Sequence, residues 1–357
     1  MLGEVGRPVE IRELELIEPR EGEVRVRMLA SGVCHSDLHV RDGEWDRPTP
    51  IVMGHEGAGI VEAVGPGVTT PRVGDLVALA WLIPCGVCRW CRRGEVWACP
   101  DSPSYRHSLL DGTTAFDGVR SYCAIATMAS HSVVPAAAAI PVPPETNPAV
   151  AALIGCCVTT GVGAVLKTAA VPAGSSVAII GLGGVGLSCV MGAVLAGASS
   201  IVAIDRVVVK LEAARSIGAT DAILAGDDPA ATAAALRNMT DGGPDFVFEA
   251  IGRQSTIELA IAALPVGGTA VLVGMTPMGE RASFEAYPFV DGGKRIIGSN
   301  YGSAEPAIDF PRYASWSIEG RLPASALIER VIGLDDVEDA FAAMRKGRFI
   351  RQVIEFD

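Results

Sequence analysis

The sequence predicts an α/β protein of two domains, an irregular β-rich domain and a doubly wound parallel sheet, and three observations carry that prediction. The chain has 357 residues, more than one ordinary core holds and enough for two domains of common size. Short Val-rich segments broken by Gly and Pro fill residues 20 to 82, as in EGEVRVRMLASGV, IVMGHEGAGIVEAVGPGV and VGDLVALAW, which is how irregular β structure reads. From about residue 150, short apolar runs near 177, 201, 222, 246, 270 and 296 alternate with Ala-rich helical patterns, the texture of a parallel sheet with crossover helices.

The stretch VVPAAAAIPVPPETNPAV, residues 133 to 150, is rich in Pro and Ala and is expected to connect the two textures without a long helix or central strand of its own. The run TAVLVGMTPMGERASFEAYPFV is expected to end the sheet in an edge strand. Two more helical patterns, PRYASWSIEGRL and LDDVEDAFAAMRKG, and a last strand, RQVIEF, close the chain.

Composition excludes several classes. The chain is 49% hydrophobic but only 5% aromatic, with 41 glycines, which favours tightly packed layers over a disulfide scaffold. A net charge of −12, from 29 Lys and Arg against 41 Asp and Glu, leaves no broad basic surface for a nucleic acid. The N-terminus is charged throughout, and no run is expected to approach the length of about 18 apolar residues that spans a bilayer, so no membrane partner and a cytoplasmic location are expected.

In SSVAIIGLGGVGLSCVMGAVLAGASSIVAID, Gly181, Gly183 and Gly186 form G-x-G-x-x-G between an apolar β-like run and a helical one. Glycine permits the tight turn and a close backbone approach, and the helix N-terminus presents free N–H groups to a pyrophosphate. Gly184 belongs to the same cradle. Asp205 closes the next strand, placed to accept hydrogen bonds from a ribose 2′-hydroxyl and to repel a 2′-phosphate. The pattern points to NAD, while the neighbouring Arg206 is the residue that a 2′-phosphate would use.

Cys85, Cys88, Cys91 and Cys99 crowd one short loop of a chain with nine cysteines. Thiols stay free in a reducing compartment, so the cluster reads as a metal knot before a staple. Four thiolates close a tetrahedral Zn²⁺ at ~2.3 Å and leave no open position, so this ion is structural. A redox pair would instead begin a helix in a βαβ unit, whereas this cluster lies among turn residues. Spacing alone does not sort the other cysteines or the five histidines: His35 and His39 stand i, i+4 as a helical metal pair would, and Cys156 and Cys157 read equally as small buried hydrophobes.

The strings SGVCHSDLHV, GHEGAGIVEAVG, CGVCRWCRRGEVWAC, LIGCCVTTG and GLGGVG stand in the order found in zinc-dependent medium-chain alcohol dehydrogenases, which the chain resembles nearly end to end. The resemblance implies a GroES-like catalytic domain of residues 1–157 and 301–357 around a Rossmann coenzyme domain of residues 158–300. It implies that Cys34, His55 and Cys156 hold a catalytic zinc with a fourth position open, that the substrate is a small alcohol or aldehyde, and that a hydride passes to NAD.

In the same way, Ser36 takes the hydroxyl proton and His39 exchanges it with solvent. Asp37 supports the zinc-bound histidine, and Glu56 lies behind the metal. His35 and Arg351 match pyrophosphate contacts, Lys210 an adenosine-ribose contact and Thr160 a nicotinamide-side residue. Trp45 and Trp81 match the substrate channel and favour a primary alcohol. A homodimer follows from the family's pairing of sheet edges.

The doublet Cys156-Cys157 departs from the family's usual Cys-Gly, and the first strand is clipped. SYRHSLLDGTTAF and YGSAEPAIDFPRYASWSIEGRL are most similar to a branch that includes mycothiol-dependent formaldehyde dehydrogenase. Two readings therefore stand beside the alcohol dehydrogenase: a thiol-dependent formaldehyde dehydrogenase, and a non-catalytic NAD(P)-binding protein of the same fold.

Overall fold

Strand Glu23–Val33 begins with alternating side chains that bury Val24, Val26 and Met28 and leave Arg25 and Arg27 partly exposed, the period-two pattern of a half-buried strand. It organises the first of two units into which the chain divides in the computed structural model, which describes residues 1–347 and 349–357. That unit comprises Met1–Thr159 and Glu305–Asp357, and the second comprises Thr160–Ala304.

In the first unit, Glu23–Val33 pairs antiparallel with Gly57–Val64, His131–Pro135 and Arg351–Glu355. Among the described residues the sheet runs Ile328–Ile332, Arg351–Glu355, Glu23–Val33, Gly57–Val64, Leu76–Leu79, Ala139–Pro141. Register then does the positioning. Ser31 faces Gly57 and Val33 faces Gln352, so the end of one strand lies beside the starts of two others. Cys34, the pair His55-Glu56 and Arg351 are thereby brought to one end of three neighbouring strands. Helix Pro148–Leu153 packs on Glu23–Val33 and Gly57–Val64. Its start is fixed by Asn147, whose Oδ1 accepts from the N–H of Ala149 at 2.8 Å, with Pro148 in the first turn. It continues into a π-helical turn, Ile154–Val158, that carries Cys156.

The second unit is a parallel sheet in the order Asp221–Leu224, Ser200–Asp205, Ser176–Ile180, Phe246–Glu249, Thr269–Leu272, Arg295–Gly298. Helices on both faces explain why Val177, Ile179, Val202, Val247 and Phe248 are all fully buried. The strand order reverses between Ser176–Ile180 and Phe246–Glu249, and ligands of such sheets bind outside the strand ends at that reversal.

Residues 133 to 150 supply strands as well as a connection, none of them central: His131–Pro135 pairs with the organising strand alone, and Ala139–Pro141 ends the sheet beside Leu76–Leu79. Two expectations need correction. Thr269–Leu272 lies inside the parallel sheet, whose edge is instead Arg295–Gly298, because the later strand adds beyond it. The helical run Pro148–Thr168 is, at 21 residues, long and apolar enough to cross a bilayer, contrary to the expectation that no run would be; 89% of its most apolar stretch is buried within the protein, as in a core helix.

Candidate functional site

Cys34 follows strand Glu23–Val33 and stands immediately before helix His35–Asp42. Asp37, in that helix's first turn, accepts from the Cys34 N–H at 3.1 Å through Oδ2. Its other oxygen accepts from the Gly54 N–H at 3.2 Å and faces His55 Nδ1 at 3.1 Å. The carboxylate is fully buried, and three nitrogen partners compensate that burial.

With Nδ1 engaged, His55 points Nε2 into a group that also holds Cys34, Glu56 and Cys156, whose ligand-type atoms all lie within 4.8 Å of one another. Nε2 is buried and has no hydrogen-bond partner among the described residues. A buried imidazole nitrogen left unpaired amid two sulfurs is the donor set of a borderline-soft cation such as Zn²⁺. The residues present therefore fit the metal that the resemblance implies.

Cys156 is the member of the doublet that enters this group. Cys157 is fully buried and points its Sγ at the Leu153 carbonyl, 3.7 Å away. The helix reaches the sheet because Gly155 has no side chain: a Cβ there would lie 2.7 Å from the Leu79 carbonyl oxygen.

Glu56, expected behind the metal, places a carboxylate oxygen within 4.8 Å of the ligand atoms of Cys34, His55 and Cys156. Arg351, expected at a pyrophosphate, turns inward: Nη1 donates to the Val33 carbonyl at 3.0 Å, and Nη2 reaches Glu56 and, at 3.5 Å, Cys34 Sγ. Burial pushes the Glu56 carboxyl up to about 8 against the opposing pull of Arg351. The hydrogen bond between Cys34 and Cys156 draws the Cys34 thiol well down and pushes that of Cys156 well up. Burial works to lower His55, but the charges of Asp37 and Cys34 outweigh it and raise the imidazole well above its ordinary range.

The four-cysteine loop closes on itself. Sγ of Cys85 lies 4.0 Å from that of Cys91, and Sγ of Cys88 lies 3.9 Å from that of Cys99. These separations are far from the ~2.05 Å of a disulfide and near the edge of a tetrahedron with ~2.3 Å bonds. N–H groups of Cys85, Cys88 and Cys91 point at sulfurs of the cluster at 3.3 to 3.5 Å, and the N–H groups of Val87 and Cys88 pull the Cys85 thiol down to about 7. Among the described residues these two groups are the ones able to hold a metal. His35 and His39 form no such pair: their rings are 6.5 Å apart, and His39 Nδ1 is taken by Glu44.

Ser36 is half-buried, and His35 is exposed on the first turn of the same helix. Trp45, expected in a substrate channel, is 5% exposed, packs with Leu2, Leu38 and Phe341, and stacks on His39 at 4.6 Å. Little of its surface is left for a substrate. Trp81 is half-buried against a core that includes Leu79 and Ile83.

In the second unit, Gly181 has φ +90, and a Cβ there would meet Ile251 at 2.3 Å. A Cβ on Gly186 would lie 1.7 Å from the Gly181 carbonyl oxygen, so this glycine lets helix Gly184–Ala196 sit against the loop. Gly183 alone of these three faces open space, the room a phosphate would need, beside the unfilled N-terminus at Gly184. Asp205 accepts from the N–H of Leu182 at 2.8 Å and of Val207 at 3.0 Å, binding the strand end to the glycine loop. Arg206 pairs with Asp227. Lys210 is half-buried on helix Val208–Ser216, and Thr160 is half-buried on Thr159–Gly163.

A sulfur-and-imidazole donor group on a β-rich unit, a closed four-cysteine loop and a glycine-loop parallel sheet define a metal-dependent dehydrogenase. The alcohol dehydrogenase GroES-like domain matches residues 20–144, and the zinc-binding dehydrogenase domain matches residues 184–318. An S-(hydroxymethyl)glutathione dehydrogenase of Synechocystis sp. is 35% identical over 99% of this chain and 98% of its own. Among solved structures, the benzyl alcohol dehydrogenase of Acinetobacter calcoaceticus is similar at TM-score 0.94 and 32% identity, over 100% of this chain and 98% of its own. An alcohol dehydrogenase zinc-binding domain protein of Burkholderia ambifaria is similar at TM-score 0.94 and 34% identity, over 100% and 97%. The chain belongs to the zinc-dependent medium-chain alcohol dehydrogenase family and is an oxidoreductase of the alcohol dehydrogenase type.

Two residues beside the metal group lie outside the zinc and glycine motifs and have no role assigned from the sequence. Tyr122 sets its ring edge-on to His55 at 5.4 Å and 87°, and His107, 4% exposed, stacks on Tyr122 at 5.6 Å. Burial, then the charges of Arg47 and Arg120, lower the His107 imidazole from 6.5 to about 4. The unfolded chain takes up this proton as pH falls through 6.5, whereas the folded chain resists until about 4. Stability is therefore lost across that window, by about 3 kcal/mol in total for this one group. Urea unfolding of wild type and His107→Asn at pH 7, 5.5 and 4.5 should show a slope shallower by about one proton in the variant; parallel slopes would contradict the assignment.

Proposed function

We propose that the protein is an NAD-dependent alcohol dehydrogenase with one catalytic and one structural zinc per chain, acting on primary alcohols or their aldehydes. The observation that carries this reading is the unpaired His55 Nε2 facing Cys34, Cys156 and Glu56 while Asp37 holds Nδ1. Cys34, His55 and Cys156 would hold a Zn²⁺ that would lower the pKa of an alcohol hydroxyl and polarise the product carbonyl, and the glycine loop would hold an NAD⁺ that would serve as hydride acceptor.

The chain's own residues supply the rest. Cys34, His55 and Cys156 bind the metal, and Asp37 fixes the tautomer that turns the Nε2 lone pair toward it. Ser36 takes the hydroxyl proton and His39 exchanges it with solvent, with Glu44 as the partner that steadies the ring. Cys85, Cys88, Cys91 and Cys99 hold the second ion. Residues 1–157 and 301–357 form the zinc domain and residues 158–300 the nucleotide domain. In the latter, Gly181, Gly183, Gly184 and Gly186 cradle the pyrophosphate, Asp205 accepts from the ribose hydroxyl, and Lys210 and Thr160 flank the two ends of the coenzyme. His35 serves its phosphates, and Trp81, with the small free surface of Trp45, limits the alcohol.

A second reading, oxidation of a thiol adduct of formaldehyde, is favoured by the end-to-end likeness to the Synechocystis S-(hydroxymethyl)glutathione dehydrogenase.

Metal analysis of the purified protein should find two zinc ions per chain, chelation should abolish alcohol-dependent NAD⁺ reduction, and Cys34→Ala should lose one ion with nearly all activity. Robust turnover by that variant would refute the metal-centred reaction. A panel of primary alcohols and formaldehyde, run with NAD⁺ and NADP⁺ and with and without low-molecular-weight thiols, should give NAD⁺-linked alcohol oxidation without thiol. Strict thiol dependence would select the second reading. Asp205→Ala should cut the preference for NAD⁺ over NADP⁺ by about tenfold or more, the loss of one charge-assisted contact. We also propose a homodimer through the sheet edge Arg295–Gly298; light scattering that finds a single 37.0 kDa species would reject it.

A further inference from the structure

Tyr122 and His107 lie outside the metal and glycine motifs, and neither has a role in the reaction described above. His107 brackets Tyr122 on both sides along the chain: its carbonyl oxygen accepts from the Ser121 N–H at 3.2 Å, and its Nδ1 accepts from the Cys123 N–H at 3.1 Å. The backbone between these anchors is held in an unusual shape. Cys123 and Ala124 have φ of +51 and +63, and His107 itself has +55, conformations that non-glycine residues keep only when their surroundings over-determine them. The N–H groups of Ile125 and Ala126 both return to the Tyr122 carbonyl, each at 3.1 Å. The Tyr122 side chain, 3% exposed, is thereby fixed with its ring perpendicular to that of His55.

That contact adds something the hydrogen bond to Asp37 lacks. A bond at Nδ1 fixes one atom of the imidazole and leaves the ring able to turn about it, which would swing Nε2 away from Cys34 and Cys156. An aromatic edge against the ring closes that motion. From this geometry we infer that Tyr122, locked in place by His107, is a positioning residue for the metal-binding imidazole of His55. The inference rests on the reading that Cys34, His55 and Cys156 hold zinc. Asp37 and Tyr122 then act as two orthogonal restraints on one ligand, and loss of the second speeds escape of the metal without altering the donor set.

The test uses the zinc-loaded protein and an excess of a chromogenic chelator at neutral pH, with release from the four-cysteine loop as internal reference and Cys34→Ala to assign the phases. Tyr122→Leu should speed release from the Cys34 site by about tenfold or more and leave the reference phase unchanged. Tyr122→Phe, which keeps the ring, should stay within about threefold of wild type. Cobalt(II) at the same site should show shifted visible bands in the Leu variant and unchanged bands in the Phe variant. Wild-type release by a folded Tyr122→Leu protein, or equal acceleration of both phases, would overturn the proposal. Where Tyr122→Leu does not fold, His107→Leu decides by the same criteria. A wild-type protein that binds only one zinc would instead sink the functional reading beneath it, so the two failures are distinguishable.

Discussion

One buried carboxylate holds the metal centre together. Asp37 engages the N–H groups of Cys34 and Gly54 and the Nδ1 of His55, joining the end of strand Glu23–Val33 to the turn before Gly57–Val64. Because Asp37 lies in the first turn of helix His35–Asp42, its charge also complements the positive end of that helix. Fold and site thus share a single anion. An uncompensated carboxylate at full burial would cost several kcal/mol, so the three partners are a condition of the fold as much as of metal binding.

Around this anion the backbone segments cross closely, and glycine marks where. A Cβ on Gly32 would lie 2.0 Å from Glu56 Oε2, one on Gly54 would lie 2.4 Å from the Met128 nitrogen, and one on Gly57 would lie 2.5 Å from Thr127 Cγ2. Only Gly54, with φ +93, also needs a left-handed backbone. The others are small because strands and the 120–128 segment pass within van der Waals contact, and Ser31 and Thr127 hydrogen-bond at 2.8 Å at that crossing. Such packing leaves little freedom to the ligands.

The second unit closes its reversal point with two more carboxylates. Asp205 ties its strand end to the glycine loop through Leu182. Glu249, fully buried and raised by that burial, accepts from the N–H groups of Ile251 and Gly252 and from the Thr256 hydroxyl. A carboxylate has about four acceptor positions, so Asp205 keeps acceptor capacity beyond the two N–H groups it serves, whereas the oxygens of Glu249 are committed to its own turn and to Thr256.

The amino-acid sequence by itself determined the parallel sheet, the glycine loop with Asp205, the four-cysteine loop and the motif around Cys34, since each is written in a short stretch whose residue types answer a local backbone or coordination need. Tertiary structure decided the rest. It chose Cys156 over Cys157 through a π-helical turn against Leu79, drew Glu56 close to Cys34, His55 and Cys156, turned Arg351 onto Glu56 across 295 residues of sequence, placed Arg295–Gly298 at the sheet edge, and set Tyr122 and His107 beside His55. These outcomes depend on strand register and on which distant backbones meet. No local periodicity encodes them, because a contact between remote segments is fixed only when the whole sheet has been assembled.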